Sequence, residues 1–443
     1  MYKVLIAFII LLNSYQNVNC TFLDFMYDQL HELRGNLLSH LMDFSHFLRS
    51  NIVRDKGLPP VNRDINKAMR MYRPKDLETQ NVQFNMAHRR ILDSHVVTTR
   101  DGYILTLHRI STGKAKEEKT GHRIVLLHHG LLGSSEDWLL LGPDKSLPYL
   151  LSDAGFDVWL ANARGNCYSR GHVSINTDFR QFWNFSWQEI GEYDLPAILH
   201  YIRNTTNTTQ GINYVGHSMG ATALLALLST EPKYNEYFRL AILLAPLAIM
   251  THTRGPMKMM APIMANPPEV LITELLGDGE FMPTRQVPSC MAEKFCEKIT
   301  MLCMNSLLFF SGSLLQEGSR DANFIARLLY HVPAGGSTNT ILHYAQLIKN
   351  KKFHKFGKKD SVFNLKDIST PVAIFSSTDD WLSNEIDNQM LLISITNPVG
   401  HIIIRGKNIS HTEFVWGFHA DVLIFYKILD LLGYGSDINK VLQ

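Results

Sequence analysis

The chain has 443 residues, of which 45% are hydrophobic, and its formal net charge is only +2. That length allows a large core, and single α/β domains with insertions reach this size. So small a positive excess gives no basic footprint for nucleic acid, and we expect no nucleic-acid partner.

The first twenty residues are predicted to form a signal peptide. Lys3 is followed by an apolar run at 4–12 and by small residues before a cleavage point after Cys20. The run is shorter than the ~20 residues that cross a bilayer, and no later segment qualifies. We therefore expect no transmembrane segment and a secreted protein, or a lysosomal one that travels the secretory route.

Residues 21–80 form a helical extension in this reading, because apolar residues recur at spacings of three and four until Pro59 and Pro60. A pro-segment and an accessory helix packed on the domain both fit that pattern.

From residue 81 the pattern becomes alternating strand and helix. Asp101-Gly102 separates two strands, and later short apolar runs are strand candidates: 124–127, 158–160, 212–215, 240–244, 372–375 and 402–404. Helix-like stretches lie between several of these and at 413–432. The pattern predicts a mostly parallel central sheet flanked by helices, with its active site beyond the carboxyl ends of the strands.

An insertion at 247–365 divides that core into 81–246 and 366–443. It holds nine of the seventeen methionines, and flexible thioether side chains suit variable apolar partners. It is interpreted as a cap or lid over an acyl-chain site. The alternative is that methionine fills an irregular core.

Residues 216–220 form a G-x-S-x-G motif between a strand pattern and a small-residue helix pattern. A sharp strand-to-helix turn of this kind exposes a serine hydroxyl, so Ser218 is the predicted nucleophile. An ordinary serine in a glycine turn is the alternative. The backbone N–H groups of Met219 and of Leu131, which follows His129-Gly130, are the predicted oxyanion donors. A glycine turn without a catalytic role remains possible at 129–131.

The acid and base should follow the serine in the order aspartate, histidine. Asp380 ends the loop after strand 372–375, and His411 follows strand 402–404. His401 opens its strand in this reading, and His419 lies within the predicted last helix. The other candidates for the acid are Asp379 and Asp387.

Cysteines and sequons fit an oxidising compartment. Cleavage would leave Cys167, Cys290, Cys296 and Cys303, three of them clustered, which suits one disulfide. The pairing is open, with Cys296 and Cys303 as candidates. N-glycosylation candidates are Asn184, Asn204 and Asn207. Asn408 also begins a sequon but lies too near His411 to carry a glycan in a working enzyme.

From about residue 80 to 435 the chain resembles the acid lipases, the group of gastric and lysosomal acid lipases, in an insect-like form. The resemblance rests on 101–105 (DGYIL), 129–134 (HGLLGS), 151–166 (LSDAGFDVWLANARGN), 182–197 (FWNFSWQEIGEYDLPA), the Ser218 motif and 331–335 (HVPAG). It implies an α/β-hydrolase fold with a helical lid-bearing cap, and it implies Asp380 and His411 as the acid and base. Met219 and His128 stand where the family usually has glutamine, and the spacing of Cys296 and Cys303 is shorter than the family's bridge.

We therefore expect hydrolysis of neutral lipid esters, either triacylglycerol or sterol ester, through an acyl-enzyme at a lipid–water interface. No metal or organic cofactor is expected. Two alternatives remain: a lipid-binding or storage protein on a lipase scaffold, and the same chemistry on a peptide, thioester or small soluble ester. The sequence leaves oligomeric state open.

Overall fold

The computed structural model describes residues 90–112, 124–266, 279–281, 324, 328, 331–406 and 409–433. The predicted signal peptide, the 21–80 extension, the Cys296 and Cys303 pair and Asn408 lie outside these residues.

One mixed sheet forms the centre of the described fold. Its strands are β1 Arg90–Thr98, β2 Tyr103–Thr112, β3 Ile124–His128, β4 Asp157–Leu160, β5 Gly171–His172, β6 Ile212–His217, β7 Phe238–Leu244, β12 Val372–Ser377 and β13 Pro398–Ile404. Short strands β8 Glu280–Phe281, β9 Gly336–Ser337, β10 His354–Lys355 and β11 Lys358–Val362 pair in two small ribbons.

The sheet order is β1-β2-β4-β3-β6-β7-β12-β13, with β5 beside β2. Strands β3, β4, β6, β7, β12 and β13 are parallel, while β1, β2 and β5 pair antiparallel at one edge. The mostly parallel sheet predicted from the apolar runs is confirmed.

Helices cover both faces of this sheet. They are α1 Leu147–Asp153, α2 Trp187–Glu189, α3 Leu195–Thr206, α4 Met219–Thr230, α5 Gly255–Met264, α6 Thr338–Asn350, α7 Glu385–Ser394, α8 Glu413–Trp416 and α9 Tyr426–Leu431. A π-helical turn, Ile190–Asp194, joins α2 to α3. In the described part of the chain, no helix combines the length and the apolar character needed to cross a bilayer.

Alternate residues of each central strand enter different cores. In β3, Ile124 and Leu126 join the core beneath α3 and α4, whereas Val125 and Leu127 join the core beneath α1 and α9. Because both faces are covered, every position of such a strand must be apolar, which is why the sequence showed short unbroken runs.

The described part of the 247–365 insertion divides its methionines between two environments. Met257 and Met264 of α5 are buried in the core, but Met259 on the opposite face is 63% exposed. Tyr344 of α6 donates a hydrogen bond to Thr222 of α4 at 3.2 Å, so this part of the insertion packs directly on the hydrolase core. The role of the insertion as a lid stays a prediction.

The predicted single helix over 413–432 is wrong. Helix α8 ends at Trp416, Gly417 is extended with ψ 138°, and the chain resumes as a π-helical turn at Asp421–Phe425 before α9. His419 therefore lies in a turn. The apolar period of three to four persists across this break, so periodicity alone could not locate it. His401 also lies in the middle of β13, which begins at Pro398, and not at its opening.

Candidate active site

Ser218 occupies a sharp turn between β6 and α4. Its backbone has φ 50° and ψ −111°, a conformation that is rare for a residue with a side chain. The Ser218 N–H donates to the Leu244 carbonyl of the neighbouring strand at 2.9 Å, and Thr222 donates its hydroxyl to the Ser218 carbonyl at 3.1 Å. These contacts hold the strained turn in place.

Two glycines make the turn sterically possible. A Cβ at Gly216 would lie 2.6 Å from the Tyr214 ring, and one at Gly220 would lie 2.6 Å from the His128 carbonyl oxygen. Since real Cβ atoms do not approach so closely, both positions of the motif require glycine. The sequence motif thus has a direct packing cause.

A hydrogen-bonded chain links Ser218 to two residues that are distant in sequence. His411 Nε2 lies 2.8 Å from Ser218 Oγ, and His411 Nδ1 lies 2.8 Å from Asp380 Oδ2. All three residues are at least 96% buried. Because the carboxylate only accepts, Nδ1 carries the proton and Nε2 is free to accept the Ser218 proton.

The rival candidates for the acid and base have other partners. Asp387 accepts from the His252 ring at 2.7 Å and from the His252 N–H at 2.8 Å. The ring of His401 contacts the Ser376 hydroxyl at 2.7 Å. Asp379 makes no described contact with His411. The structure therefore joins Asp380, and not its neighbour, to the histidine.

Two residues that sequence reasoning missed hold this chain in position. His217 Nε2 lies 2.8 Å from the His411 carbonyl oxygen, and burial lowers the pKa of His217 to about 3, so its ring is a neutral donor. Arg254 donates to the carbonyls of Thr378 and Asp380, both at 2.9 Å. His217 is the x of the serine motif, whereas no local signal identifies Arg254.

We define the oxyanion loop as residues 129–134, which follow β3. It lies directly against the nucleophile, since a Cβ at Gly130 would be 3.3 Å from the Ser218 Cβ. Within the described residues, the N–H groups of Leu131 and Met219 donate no hydrogen bond. Both are therefore available to a developing oxyanion, as an oxyanion hole requires.

His129 orients the Leu131 N–H. The Gly130 carbonyl accepts from His129 Nδ1 at 2.7 Å and from the Gly133 N–H at 3.2 Å. In a planar trans peptide the N–H of Leu131 points away from that carbonyl, so these two bonds also fix its direction. Burial lowers the pKa of His129 to about 3, which keeps Nε2 unprotonated to accept from the Ala163 N–H at 3.1 Å.

A buried arginine secures the loop after β4. Arg164 donates three bonds to Asp194 at 2.6 to 3.1 Å and two to Asp101 at 2.6 and 3.0 Å. Burial opposes its charge, but the two carboxylates together raise the pKa of Arg164 above its ordinary value. The guanidinium also lies 3.9 Å from the centre of the Tyr103 ring.

The remaining predicted site residues are placed as follows. Asn184, Asn204 and Asn207 are all exposed. Cys167 is a free thiol whose pKa is raised well above its ordinary value by burial, so it is not a thiolate nucleophile. Over the ranges that the structure describes, no three His, Cys, Asp or Glu side chains are grouped to hold a metal ion.

We expect the stability of the fold to depend on pH through Asp137, which lies next to the oxyanion loop. Burial raises its pKa from 3.8 to about 7, and the nearby charge of Glu136 acts in the same direction. The folded protein thus gains a proton relative to the unfolded chain between about pH 4 and 7, and stability falls as pH rises through that window. Asp137→Asn should raise the Tm at pH 8 but leave it nearly unchanged at pH 4, as measured by calorimetry.

The control for this prediction is Asp178→Asn at an exposed position. It should alter the Tm little at either pH. An increase in Tm from Asp137→Asn that is equal at pH 4 and pH 8 would contradict titration of Asp137 as the cause.

The fold and this serine–histidine–aspartate geometry define the chain as an α/β-hydrolase. The family model described as alpha/beta hydrolase fold matches residues 123–392, and the partial alpha/beta-hydrolase lipase region matches residues 89–142. A solved structure from Sulfolobus solfataricus shares the fold with a TM-score of 0.53 and 18% identity, covering 78% of this chain and 94% of that one.

Comparison with curated relatives identifies the family within the α/β-hydrolases. Lipase 3 of Drosophila melanogaster is 34% identical over 76% of this chain and 89% of its own length. The human lysosomal acid lipase/cholesteryl ester hydrolase and the Bos taurus gastric triacylglycerol lipase are each 33% identical over 77% of this chain and 87% of theirs. The chain belongs to the acid lipase family and is a carboxylic ester hydrolase.

Proposed function

We propose that this protein hydrolyses neutral lipid esters, triacylglycerol or sterol ester, by two-step acyl transfer. The observation that carries the proposal is the continuous chain from Ser218 Oγ through the His411 ring to Asp380. Relatives named as triacylglycerol and cholesteryl ester hydrolases support this substrate class.

In the proposed first step, Ser218 Oγ attacks the ester carbonyl while His411 Nε2 takes the hydroxyl proton. Asp380 keeps the ring in the tautomer with Nδ1 protonated and stabilises the imidazolium that forms. The N–H groups of Leu131 and Met219 stabilise the oxyanion, and His411 then returns the proton to the leaving alcohol. Water attacks the acyl-enzyme by the same route and releases the fatty acid.

The proposal extends to location and to the cap. The predicted signal peptide and the exposed sequons at Asn184, Asn204 and Asn207 support a secreted or lysosomal glycoprotein. The insertion at 247–365 is proposed to cover the acyl-chain site and to govern access at a lipid–water interface. Exposed Met259 and Ile263 on the outer face of α5 support contact with lipid.

The deciding experiment compares emulsified long-chain triacylglycerol and sterol ester with a short soluble ester, across acid to neutral pH. A lipase should turn over the emulsion strongly, and its pH profile indicates its compartment. Activity on the short ester alone would make the protein an esterase, and activity on none would favour a lipid-binding role.

A further inference from the structure

A buried side-chain pair joins two parts of the chain that are 195 residues apart. Glu136 lies in the 3-10 helix Ser135–Leu139 that follows the oxyanion loop, and its Oε2 is 2.6 Å from His331 Nδ1. The two side chains are 4% and 6% exposed. Tyr168 donates its hydroxyl to the other carboxylate oxygen, so both oxygens of Glu136 accept hydrogen bonds. Bonds to a buried carboxylate are strong and directional.

The pair lies beside a backbone contact with the oxyanion loop. Three residues after His331, the Ala334 N–H donates to the Leu132 carbonyl at 2.6 Å. The Ala334 carbonyl in turn accepts from the Cys167 N–H at 2.8 Å. The 331–335 segment is thus held between the oxyanion loop and the loop after β4, and the Glu136–His331 pair fixes one end of it.

Leu132 has a backbone φ of 61°, an unfavourable value for a residue with a branched side chain. Such a conformation persists only where neighbouring contacts impose it. The bond from Ala334 is one of these contacts, and Leu132 directly follows Leu131, whose N–H is a proposed oxyanion donor. Losing the contact would let this peptide relax away from the orientation that catalysis needs.

We propose that Glu136 and His331 are positioning residues for the oxyanion hole, acting by holding the 331–335 segment against Leu132. The inference rests on the proposed function, because it assigns these residues a part in that acyl transfer. It also couples the predicted insertion at 247–365, which contains His331, to the orientation of the catalytic N–H.

The test uses Glu136→Gln, which keeps the side-chain length but leaves one acceptor oxygen for two donors. With a short soluble ester, kcat should fall about 10-fold while KM stays within about twofold. A trifluoromethyl ketone, whose adduct with Ser218 carries an oxyanion, should bind more weakly by a similar factor. A matched ether inhibitor without a carbonyl should bind as before.

Two further variants separate positioning from general destabilisation. The double variant Glu136→Gln/His331→Gln should lose no more kcat than the worse single variant, because both act through one contact. Arg109→Gln breaks the Arg109–Asp157 pair of β2 and β4, with its 2.7 Å bonds, and should lower the Tm without changing kcat. Equal weakening of both inhibitors, a change in Tm alone, or additive losses would overturn the proposal.

Hydrogen–deuterium exchange provides a readout that needs no turnover. Peptides covering 131–136 and 331–336 should exchange faster in Glu136→Gln than in the wild type. Unchanged exchange in Glu136→Gln overturns the coupling. Faster exchange in Glu136→Gln, together with a wild type that hydrolyses no ester, overturns only the proposed function. If Glu136→Gln does not fold, Tyr168→Phe removes one bond to the same carboxylate and should shift exchange in the same direction.

Discussion

Ser218→Ala should reduce ester hydrolysis by at least ~10⁴-fold while leaving the fold intact. The hydroxyl lies 2.8 Å from His411 Nε2, the proposed base, and alanine removes it without disturbing the strained backbone of the turn. Turnover of a soluble chromogenic ester measures the loss, and circular dichroism checks the fold. Ser229→Ala, a buried serine on the same helix α4, is the matched control and should retain activity.

The same reaction distinguishes two adjacent carboxylates. Asp380→Asn should lower kcat by about 10⁴-fold. The amide favours the histidine tautomer in which Nδ1 is unprotonated, and, being neutral, it does not stabilise the imidazolium that forms during the reaction. Asp379→Asn should remain near wild type, since this side chain makes no described contact with His411. More than about 1% of wild-type activity in Ser218→Ala, or equal losses in the two aspartate variants, would contradict the assigned mechanism.

The second large effect concerns the buried arginine. Asp194→Asn should destabilise the protein by about 3–5 kcal/mol, because it leaves the guanidinium of Arg164 buried with much weaker compensation. Arg164 is 2% exposed, and Asp194 is fully buried and accepts three of its bonds. Denaturant unfolding monitored by tryptophan fluorescence measures the difference in free energy.

The matched control is the exposed pair of Arg405 and Glu385, whose side chains are 60% and 29% exposed. Glu385→Gln should cost less than about 1 kcal/mol, because solvent screens such pairs. Similar losses in the free energy of unfolding for Asp194→Asn and Glu385→Gln would contradict the conclusion that burial makes the Arg164 ion pairs important for stability. If Asp194→Asn does not fold, Asp101→Asn removes the more exposed carboxylate and should give a smaller loss of the same sign.

These predictions connect the stability of the fold to the geometry of the site. Arg164 secures the loop after β4, and that loop carries Ala163 and Asn166, which donate to His129 at 3.1 and 3.2 Å. His129 then orients the peptide that bears the Leu131 N–H. A loss of packing at Arg164 should therefore displace the loop after β4, and through its hydrogen bonds to His129 it should also disturb the oxyanion loop.

Local sequence determined where the core strands lie along the chain and the positions from which the site is built. Unbroken apolar runs marked strands that are covered on both faces, and the polar residues after each run marked the carboxyl edge. The glycines around Ser218 were readable because a sharp turn leaves no room for a Cβ. These features depend on neighbours in the chain, so periodicity and turn chemistry reveal them.

Only the tertiary structure decided the rest. Asp379 and Asp380 are adjacent and chemically identical, so position along the chain does not separate them. The family resemblance implied Asp380, and the direction of the loop after β12 is what brings that side chain to His411. The break at Gly417, the bonds of Arg254 to the acid loop and the pairing of Glu136 with His331 depend on contacts between distant segments. Such contacts leave no periodic signal, because they are selected by packing in three dimensions and not by the preferences of neighbouring residues.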